Sequence, residues 1–216
     1  MSDTHIVLVG TDVTARIAID IFAAQNKIVL GILENDPGKE VREVNDISVF
    51  APLHSEDARV VMSGDNVEYF VAVGENAARK EAYETMAEIA KKPASNAIHP
   101  AATVSPYANL DFGNLVNAGA VVGPNATLGS QNLVHAGAVI EPKSILGHYC
   151  HISAGAKVGG NVTLGDEVFV GTGAAIHPGV TVGRGSMIGA GSVVLRDVEE
   201  DAVVHGNPAV QVGTRD

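Results

Sequence analysis

The sequence has very few aromatic residues. Tryptophan is absent, and phenylalanine and tyrosine together make up 4% of the 216 residues. A core must therefore be built from aliphatic side chains, which favours a stack of small repeated units over an irregular globule. Cysteine is also nearly absent: Cys150 stands alone, which excludes an intrachain disulfide and fits a reducing compartment.

Basic residues and long apolar runs are scarce as well. Fourteen lysines and arginines face 25 acidic residues, so the formal net charge is -11. The sequence lacks the excess of basic residues that is typical of proteins that bind nucleic acid or anionic lipid. A small-molecule partner is therefore favoured. The longest apolar runs, such as residues 28–33, are too short to span a bilayer, and the first ten residues lack a basic stretch. We therefore expect a soluble, cytoplasmic protein.

What the sequence does have is a repeat of six residues in its second half. From Ile98 to Val194, every sixth residue is a branched aliphatic, seventeen in succession. The residue four positions after each aliphatic is mostly small, as at Ala138 and Ala156. A fixed period of this kind indicates repeated structural units. We expect both positions to point inward.

The position just after each aliphatic predicts corners. It holds glycine in eight cases and mostly His, Asn, Asp or Ser otherwise, which are residue types that tolerate a positive φ. Proline, whose φ is fixed, follows in five hexads, Pro142 among them. Alternating strands and corners predict a triangular parallel β-helix with three hexads per coil and coils about 4.8 Å apart. This β-helix occupies residues 96–216, including a C-terminal tail.

The first 95 residues predict a separate small α/β domain. Strand and helix patterns alternate, which implies a parallel sheet, and Thr11 or Asp12 is the candidate cap of the first helix. The turn after the first strand, GTDVTA, lacks the three-glycine fingerprint of a dinucleotide site, so we expect a smaller ligand pocket at the carboxyl ends of the strands. The predicted strands cover residues 5–10, 27–36, 58–62 and 68–74, and the predicted helices cover residues 11–25 and 75–92.

Four segments carry a resemblance to a known family. They are AVGENAAR at residues 72–79, GILENDP at 31–37, HISAGAKVGGNV at 151–162 and GNPA at 206–209. With the α/β domain and the hexads, they make the chain similar to the bacterial nucleotide-sugar and sialic-acid O- and N-acetyltransferases. These are hexapeptide-repeat acyltransferases that include the bacillosamine-pathway and perosamine N-acetyltransferases. The resemblance covers nearly the whole chain.

The resemblance implies a fold, a reaction and a set of contacts. The fold is an α/β domain followed by a left-handed β-helix, and the assembly is a homotrimer. The implied reaction transfers acetyl from acetyl-CoA to an amino or hydroxyl group of a nucleotide-linked or acidic sugar. By the same alignment, the cofactor-binding residues are His151, Gly160, Ala190, Gly206, Asn207 and Pro208. The substrate-binding residues are Gly10, Thr11, Asp36, Gly74, Asn76 and Arg79.

Two departures from the family pattern affect the chemistry. A glycine-glycine-histidine turn that contacts nucleotide phosphate appears here as Asp12-Val13-Thr14. The family's catalytic histidine aligns with Pro142, and the acidic residue that orients it aligns with Lys143. Acyl transfer to an amine or hydroxyl requires removal of a proton, which proline cannot accept. Lys143 serves as a base only when neutral, which its reference pKa of about 10.4 opposes.

Histidines are the remaining candidates for the base. His135 lies one coil before Ser153, at a corner where the family has a polar residue, and His151 approaches the same edge. His135 is therefore the first candidate for the base, and His148 is the second. The histidines at 148 and 151 do not form a metal site with Cys150, because the cysteine points inward, so no metal is expected. Two alternatives stay open: a base from the substrate or a neighbouring subunit, or a catalytically impaired CoA- or sugar-binding homologue with a regulatory or structural role.

Overall fold

The chain forms two compact units. A computed structural model describes residues 4–34, 36, 38–64 and 66–215, and it divides into units of residues 1–100 and 101–216. Each unit has its own apolar interior. None of the helices in the described ranges is long and apolar enough to cross a membrane.

The first unit is a small α/β fold around a mostly parallel sheet. The strand order is β3-β4-β2-β1-β5, and only the β3–β4 pair is antiparallel. The parallel strands therefore end at one edge of the sheet. The elements are β1 (His5–Val9), α1 (Val13–Ala24), β2 (Ile28–Glu34), β3 (Glu43–Val44), β4 (Ile47–Pro52), α2 (Glu56–Met62), β5 (Val67–Val71), α3 (Asn76–Ala90) and β6 (Ala97–Ile98).

The central strand β1 positions the loops of this unit. Its residues Ile6 to Val9 are fully buried, as a strand covered on both faces requires. Asp12 caps the helix that follows, with its carboxylate accepting from the Thr14 amide at 2.7 Å. The prediction of a strand, a capped helix and a second strand is confirmed here.

One predicted strand is wrong, and two strands, β3 and β4, were missed. Residues 58–62 belong to α2, which Ser55 caps by accepting from the Ala58 amide. Acidic residues in the first turn of α2 favour its positive N-terminus, and this signal outweighs the apolar run that follows. The missed strands β3 and β4 pair antiparallel across a two-residue turn at Asn45 and Asp46, both with positive φ. Such a turn is typical of a tight hairpin.

The second unit is a left-handed parallel β-helix, which confirms the predicted fold class. Each strand pairs in parallel with the strand one coil away, as Val121 pairs with Val139 and Leu133 with His151. The strands of the coils are β7 (Thr103–Val104), β8 (Asn109–Leu110), β9 (Leu115–Val116), β10 (Val121–Val122), β11 (Thr127–Leu128), β12 (Leu133–Val134), β13 (Val139–Ile140), β14 (Ile145–Leu146), β15 (His151–Ile152), β16 (Lys157–Val158), β17 (Thr163–Leu164), β18 (Phe169–Val170), β19 (Ala175–Ile176), β20 (Thr181–Val182), β21 (Met187–Ile188) and β22 (Val193–Val194).

A hairpin follows the last coil. It is formed by β23 (Ala202–Gly206) and β24 (Ala209–Thr214), which are antiparallel. The first strand of the hairpin pairs in parallel with β21, so it continues one face of the prism. Val210 and Val212 of β24 are largely exposed.

The corners differ from the prediction in one respect. The positive φ falls three residues after each aliphatic from Leu110 to Ile188, as at Gly137 (67°) and Lys143 (62°), and not one residue after it. The glycines at the first position are needed for a different reason, which is close approach between coils. A Cβ at Gly129 would lie 2.7 Å from the carbonyl oxygen of Gly147 in the next coil, and a Cβ at Gly159 would lie 2.6 Å from that of Ile176. Space between backbones, and not backbone conformation, therefore selects these glycines.

Candidate functional site

A cavity of about 370 Å³ lies at the carboxyl ends of β1, β2 and β5. The sequence predicted a pocket at this edge of the sheet. A second cavity of about 240 Å³ shares Asp36 and Lys39 with it and is bordered by the half-exposed ring of Phe50. The residues lining the first cavity are Asp12, Asp36, Lys39, Val73, Glu75, Ala78 and Glu81.

Carboxylates occupy the helix N-termini beside this cavity. Asp12 accepts from the amides of Thr14 and Gly74, both at 2.7 Å. Glu75 caps α3 by accepting from Ala77 at 3.1 Å and Ala78 at 2.6 Å. A helix N-terminus normally attracts phosphate, because its amides point outward with partial positive charge. Here the protein's own carboxylates take those amides and add negative charge, which opposes an anion at the same place.

Three of the predicted substrate-binding residues form the wall behind the cavity. The guanidinium of Arg79 is fully buried and donates to the carbonyls of Val73 and Gly74 at 3.1 and 2.9 Å. It also donates to the amide oxygen of buried Asn76 at 2.8 Å. These bonds hold the loop between β5 and α3 in shape. Arg79 therefore acts on the cavity by fixing this loop.

The other predicted substrate-binding residues surround the end of β2. Gly10 has a φ of 99°, and its amide donates to the Leu33 carbonyl at 2.8 Å. The hydroxyl of Thr11 donates to the Glu34 carboxylate, which also accepts from the Asp36 amide at 2.8 Å. Asp36 is the member of this group whose side chain lines both cavities, with the Lys39 ammonium 3.9 Å away.

Three edges of the β-helix carry the candidate residues of the second unit. We call residues 135–137 and their equivalents in other coils the first edge, residues 141–143 and theirs the second edge, and residues 147–149 and theirs the third edge. His135, Pro142 and His148 thus stand on three different edges of one chain. His135, the predicted base, therefore lies on the first edge, whereas Pro142 lies on the second.

His135 and His151 are in contact. Their ring centroids are 4.6 Å apart with 32° between the planes, and both rings are half-buried. The opposite side of the His151 ring faces Phe169, at 4.8 Å and 38°. Register explains the contact of His151 with Phe169, because these two residues are aligned in adjacent coils, whereas His135 lies two residues beyond Leu133, the aligned partner of His151. The prediction that the two histidines approach one edge is confirmed as geometry.

Pro142 fits its corner without the loss of a hydrogen bond. The amides on either side donate within the ladder, Glu141 to Val158 at 2.9 Å and Lys143 to Pro124 at 3.1 Å. The ladder needs no N–H donor at residue 142, so proline, which has no N–H group, removes none of its hydrogen bonds. Its carbonyl accepts from the Asn161 amide at 3.1 Å. A proline at this corner is therefore structurally neutral.

Comparisons with known proteins cover the whole chain. The GDP-perosamine N-acetyl transferase from Caulobacter crescentus, solved as a histidine-to-alanine mutant with CoA and GDP-perosamine, is 30% identical over 97% of both chains, with a TM-score of 0.89. The acetyltransferase domain of PglB from Neisseria gonorrhoeae FA1090, solved with acetyl coenzyme A, is 30% identical over 98% of this chain and 100% of that chain, with a TM-score of 0.88. The chain belongs to the sugar N-acetyltransferase family of hexapeptide-repeat acyltransferases.

A family model and a more distant structure also match the chain, and one comparison finds no match. The family described as bacterial transferase hexapeptide (six repeats) matches residues 161–196. WeeI from Acinetobacter baumannii AYE shares the fold, at 20% identity over 97% of this chain and 100% of that chain, with a TM-score of 0.70. No curated protein sequence matches the chain significantly.

As a member of the hexapeptide-repeat acyltransferases, the protein needs a base, and His148 is poorly arranged to be one. Its Nδ1 accepts from the Ser130 amide at 2.9 Å, so the ring proton of the neutral form resides on Nε2. A base must offer an unprotonated nitrogen to its substrate. His148 also anchors its coil, because its backbone amide donates to Asp166 at 2.7 Å.

His177 has the opposite ring arrangement to that of His148. It lies on the second edge, and its Nδ1 is 3.0 Å from the carbonyl oxygen of Pro178. A carbonyl only accepts, so Nδ1 carries the proton and Nε2 is free to accept one. His177 stands two coils beyond Glu141, which is roughly 10 Å along the prism at the usual strand spacing. No sequence signal distinguishes this tautomer from that of His148.

The residues expected to bind CoA in this acyltransferase are split between the edges and the tail. Gly160 follows Pro142 on the second edge, and a Cβ there would lie 3.4 Å from the Pro142 carbonyl oxygen. Ala190 lies on the first edge and is exposed. In the tail, the Gly206 amide donates to the Ser192 hydroxyl at 3.1 Å, and a cis bond joins Asn207 to Pro208. Pro208 lines a cavity of about 370 Å³ between β22 and the hairpin.

Proposed function

We propose that this protein transfers the acetyl group of acetyl-CoA to an amino or hydroxyl group of a sugar that is nucleotide-linked or acidic. One observation carries the proposal: the chain matches sugar N-acetyltransferases over both of its units, at 97% coverage. Those proteins were solved with CoA, acetyl coenzyme A or GDP-perosamine. The β-helix supplies the acyl-transfer surface, and the α/β unit supplies the acceptor pocket.

His135 is the proposed catalytic base. The acceptor nitrogen or oxygen attacks the thioester carbonyl, a new C–N or C–O bond forms, and the C–S bond breaks. His135 takes the proton that the nucleophile loses, and the departing CoA thiolate takes up a proton to leave as the thiol. A positioned base of this kind contributes typically ~10²–10⁴-fold to the rate.

Acetyl-CoA binding is assigned to two groups of residues. His151, the half-buried backbone at Gly160 and the exposed backbone at Ala190 face the acyl and pantetheine portion. The Gly206–Asn207–Pro208 segment borders the tail cavity, which is lined by apolar Leu195 and Val210, by the side chain of Arg196 and by the carboxylates of Asp197 and Glu199. The apolar walls suit the flexible, uncharged part of the donor, and Arg196 is the lining cation that an anionic group can pair with. The two carboxylates oppose phosphate beside them, so the donor's phosphates are assigned to the Arg196 side of the cavity.

The acceptor pocket is assigned to the cavity at the end of the parallel strands. Open α/β sheets bind ligands at this edge. Four carboxylates and one ammonium line it, so it favours hydroxyl and amino groups and disfavours phosphate at the helix N-termini. A nucleotide-linked acceptor then places its phosphates away from Asp12 and Glu75.

We further propose that the protein is a homotrimer in the cytoplasm. Ile145, Leu195, Val210 and Val212 of the β-helix unit are each at least half exposed, which supports association through its outer surfaces. A trimer brings edges of neighbouring chains together, so His135 of one chain can serve a groove bounded by the second edge of another. Sedimentation equilibrium tests this assembly, and a monomer at micromolar concentration would contradict it.

A second candidate function is a binding or regulatory homologue without catalysis. It is favoured by one observation, the replacement of a histidine and an acidic residue by Pro142 and Lys143. An assay of CoA release with acetyl-CoA and a panel of amino sugars, free and nucleotide-linked, separates the two functions. Turnover that His135→Ala abolishes supports the acyltransferase. Tight CoA binding without turnover on any acceptor supports the homologue.

A further inference from the structure

The stack of His135 on His151 brings two titratable rings face to face. The centroid separation of 4.6 Å is within the range of direct stacking between rings. The strand register fixes this arrangement, because the His135 amide donates to the Ile152 carbonyl at 2.9 Å and the His151 amide donates to Val168 at 2.9 Å. These backbone bonds fix the positions from which the two rings project.

Two imidazolium charges at this distance repel each other strongly. The ring on the far side of His151 is Phe169, which has no charge to offset a second proton. Leu115 and Met187, the other outward neighbours in the column, are also uncharged. The column therefore accommodates one proton far more readily than two.

The other titratable groups on the packed elements lie at the borders of this face. His99 is on the first edge, two coils before His135. Tyr149 and Glu167 are on the third edge, where they precede β15 and β18. The stacked pair is thus the place on this face where two titratable rings meet directly.

We propose that His135 and His151 form a coupled imidazole pair that holds a single proton, with His151 as a positioning residue that takes up this proton in acid so that His135 stays available as the base. This proposal rests on the assignment of His135 under the proposed function. Between the first and second protonation steps the proton is shared, so His135 remains neutral in roughly half of the molecules if the two rings have similar proton affinity. An isolated His135 would instead be lost as a base in one step.

The direct test is a titration of the histidine ring protons by NMR in the wild-type protein and in His151→Phe. Phenylalanine suits this column, because Phe169 occupies the next position in it. In the wild type we expect both rings to respond to two steps separated by roughly one pH unit or more. In His151→Phe we expect a single step for His135. His54→Phe, on an exposed loop of the first unit, is the control and should leave the two steps unchanged.

The pH profile of kcat/KM supplies the second readout. His151→Phe is expected to move the acid limb to higher pH and to turn a two-step limb into a single step, whatever its effect on the maximal rate. Single-step titration of His135 that is identical in the wild type and in His151→Phe would overturn the proposal, even if His135→Ala is inactive. Coupled titration in a protein that is fully active as His135→Ala would instead overturn the assignment of the base and leave the pairing in place.

Discussion

The Gly74 amide donates to the carboxylate of Asp12 at 2.7 Å and so ties the loop after β5 to the cap of α1. The same carboxylate accepts from the Thr14 amide. This one side chain therefore shapes two loops of the acceptor cavity and places a negative charge at the N-terminus of α1. Both effects bear on which acceptors enter.

Replacing Asp12 with asparagine should strengthen the binding of phosphate-bearing ligands. Asparagine still caps a helix, but it removes the charge that opposes phosphate. We expect Asp12→Asn to bind UDP or GDP about 2–5-fold more tightly in calorimetry, the size of a typical charge effect at a helix end. Asp20→Asn, on the exposed side of the same helix, is the matched control. Equal affinity in wild type and Asp12→Asn would refute this account of the pocket.

Because neighbouring coils approach each other closely, a single methyl group added at Gly159 should destabilise the fold. A Cβ at Gly159 would lie 2.6 Å from the Ile176 carbonyl oxygen and 2.7 Å from the Pro178 nitrogen. Gly159→Ala should lower the free energy of unfolding by about 1–3 kcal/mol, as overpacking does. Gly213→Ala, where nothing lies within 4 Å, should change it little. Denaturant unfolding of both variants decides the matter, and equal stabilities would rule out this reason for the glycines.

Pro142 should be dispensable for both fold and activity. Its position is not required to donate a ladder bond, so Pro142→Ala should lower stability by about 1 kcal/mol or less and leave turnover within about twofold. Pro142→His combined with Lys143→Asp restores the family pair on the second edge and should raise turnover. Loss of activity in Pro142→Ala would show that the proline itself has a role.

The ion pair of Glu68 predicts how the first unit responds to acid. Burial raises the pKa of this carboxyl, but hydrogen bonds from Ser95 and Lys27 and the charges of Lys27 and Lys92 outweigh it, so the pKa lies below its ordinary value. A lowered pKa stabilises the fold above the unfolded-state value of about 4.3, and this contribution is lost as the pH falls through the folded-state value.

Glu68→Gln should therefore be less stable than the wild type at pH 7, by less than about 1 kcal/mol because the pair is partly exposed. The difference should begin to shrink below about pH 4.3 and should disappear only below the lowered folded-state pKa of Glu68. Thermal unfolding from pH 3 to pH 8 measures it. A difference that persists at the lowest pH would assign the effect to packing and not to charge.

The β-helix was predictable because its repeat has a simple physical cause. Each aliphatic from Val116 to Val194 is buried, and only one period places all of them inside. The geometry of the corners was harder to predict. A glycine can be required either by a positive φ or by a close contact, and the sequence does not distinguish the two. The α/β unit shows a similar limit: Glu56 and Asp57 were a helix signal, yet the apolar residues after them were interpreted as a strand.

The site was predictable only in part. The six-residue period places His135 and His151 near one edge in adjacent coils, because Leu133 is the aligned partner of His151, but the contact between their rings is visible only in the structure. His148 and His177 differ in which ring nitrogen carries the proton. The reason is that Nδ1 faces an amide in His148 and a carbonyl in His177. The role of Arg79 was also beyond the sequence, because a charged side chain in a family motif suggests a ligand contact, whereas here it holds a loop.

Acyl transfer by wild type and His135→Ala is the most direct test of the central claim, that an imidazole on the first edge of the β-helix supplies the base missing at Pro142. The measurement is CoA release from acetyl-CoA with amino-sugar acceptors, with CoA affinity determined separately by calorimetry. We predict that His135→Ala lowers kcat by ~10²–10⁴-fold while CoA affinity stays within a few-fold. Wild-type turnover in His135→Ala would contradict the account.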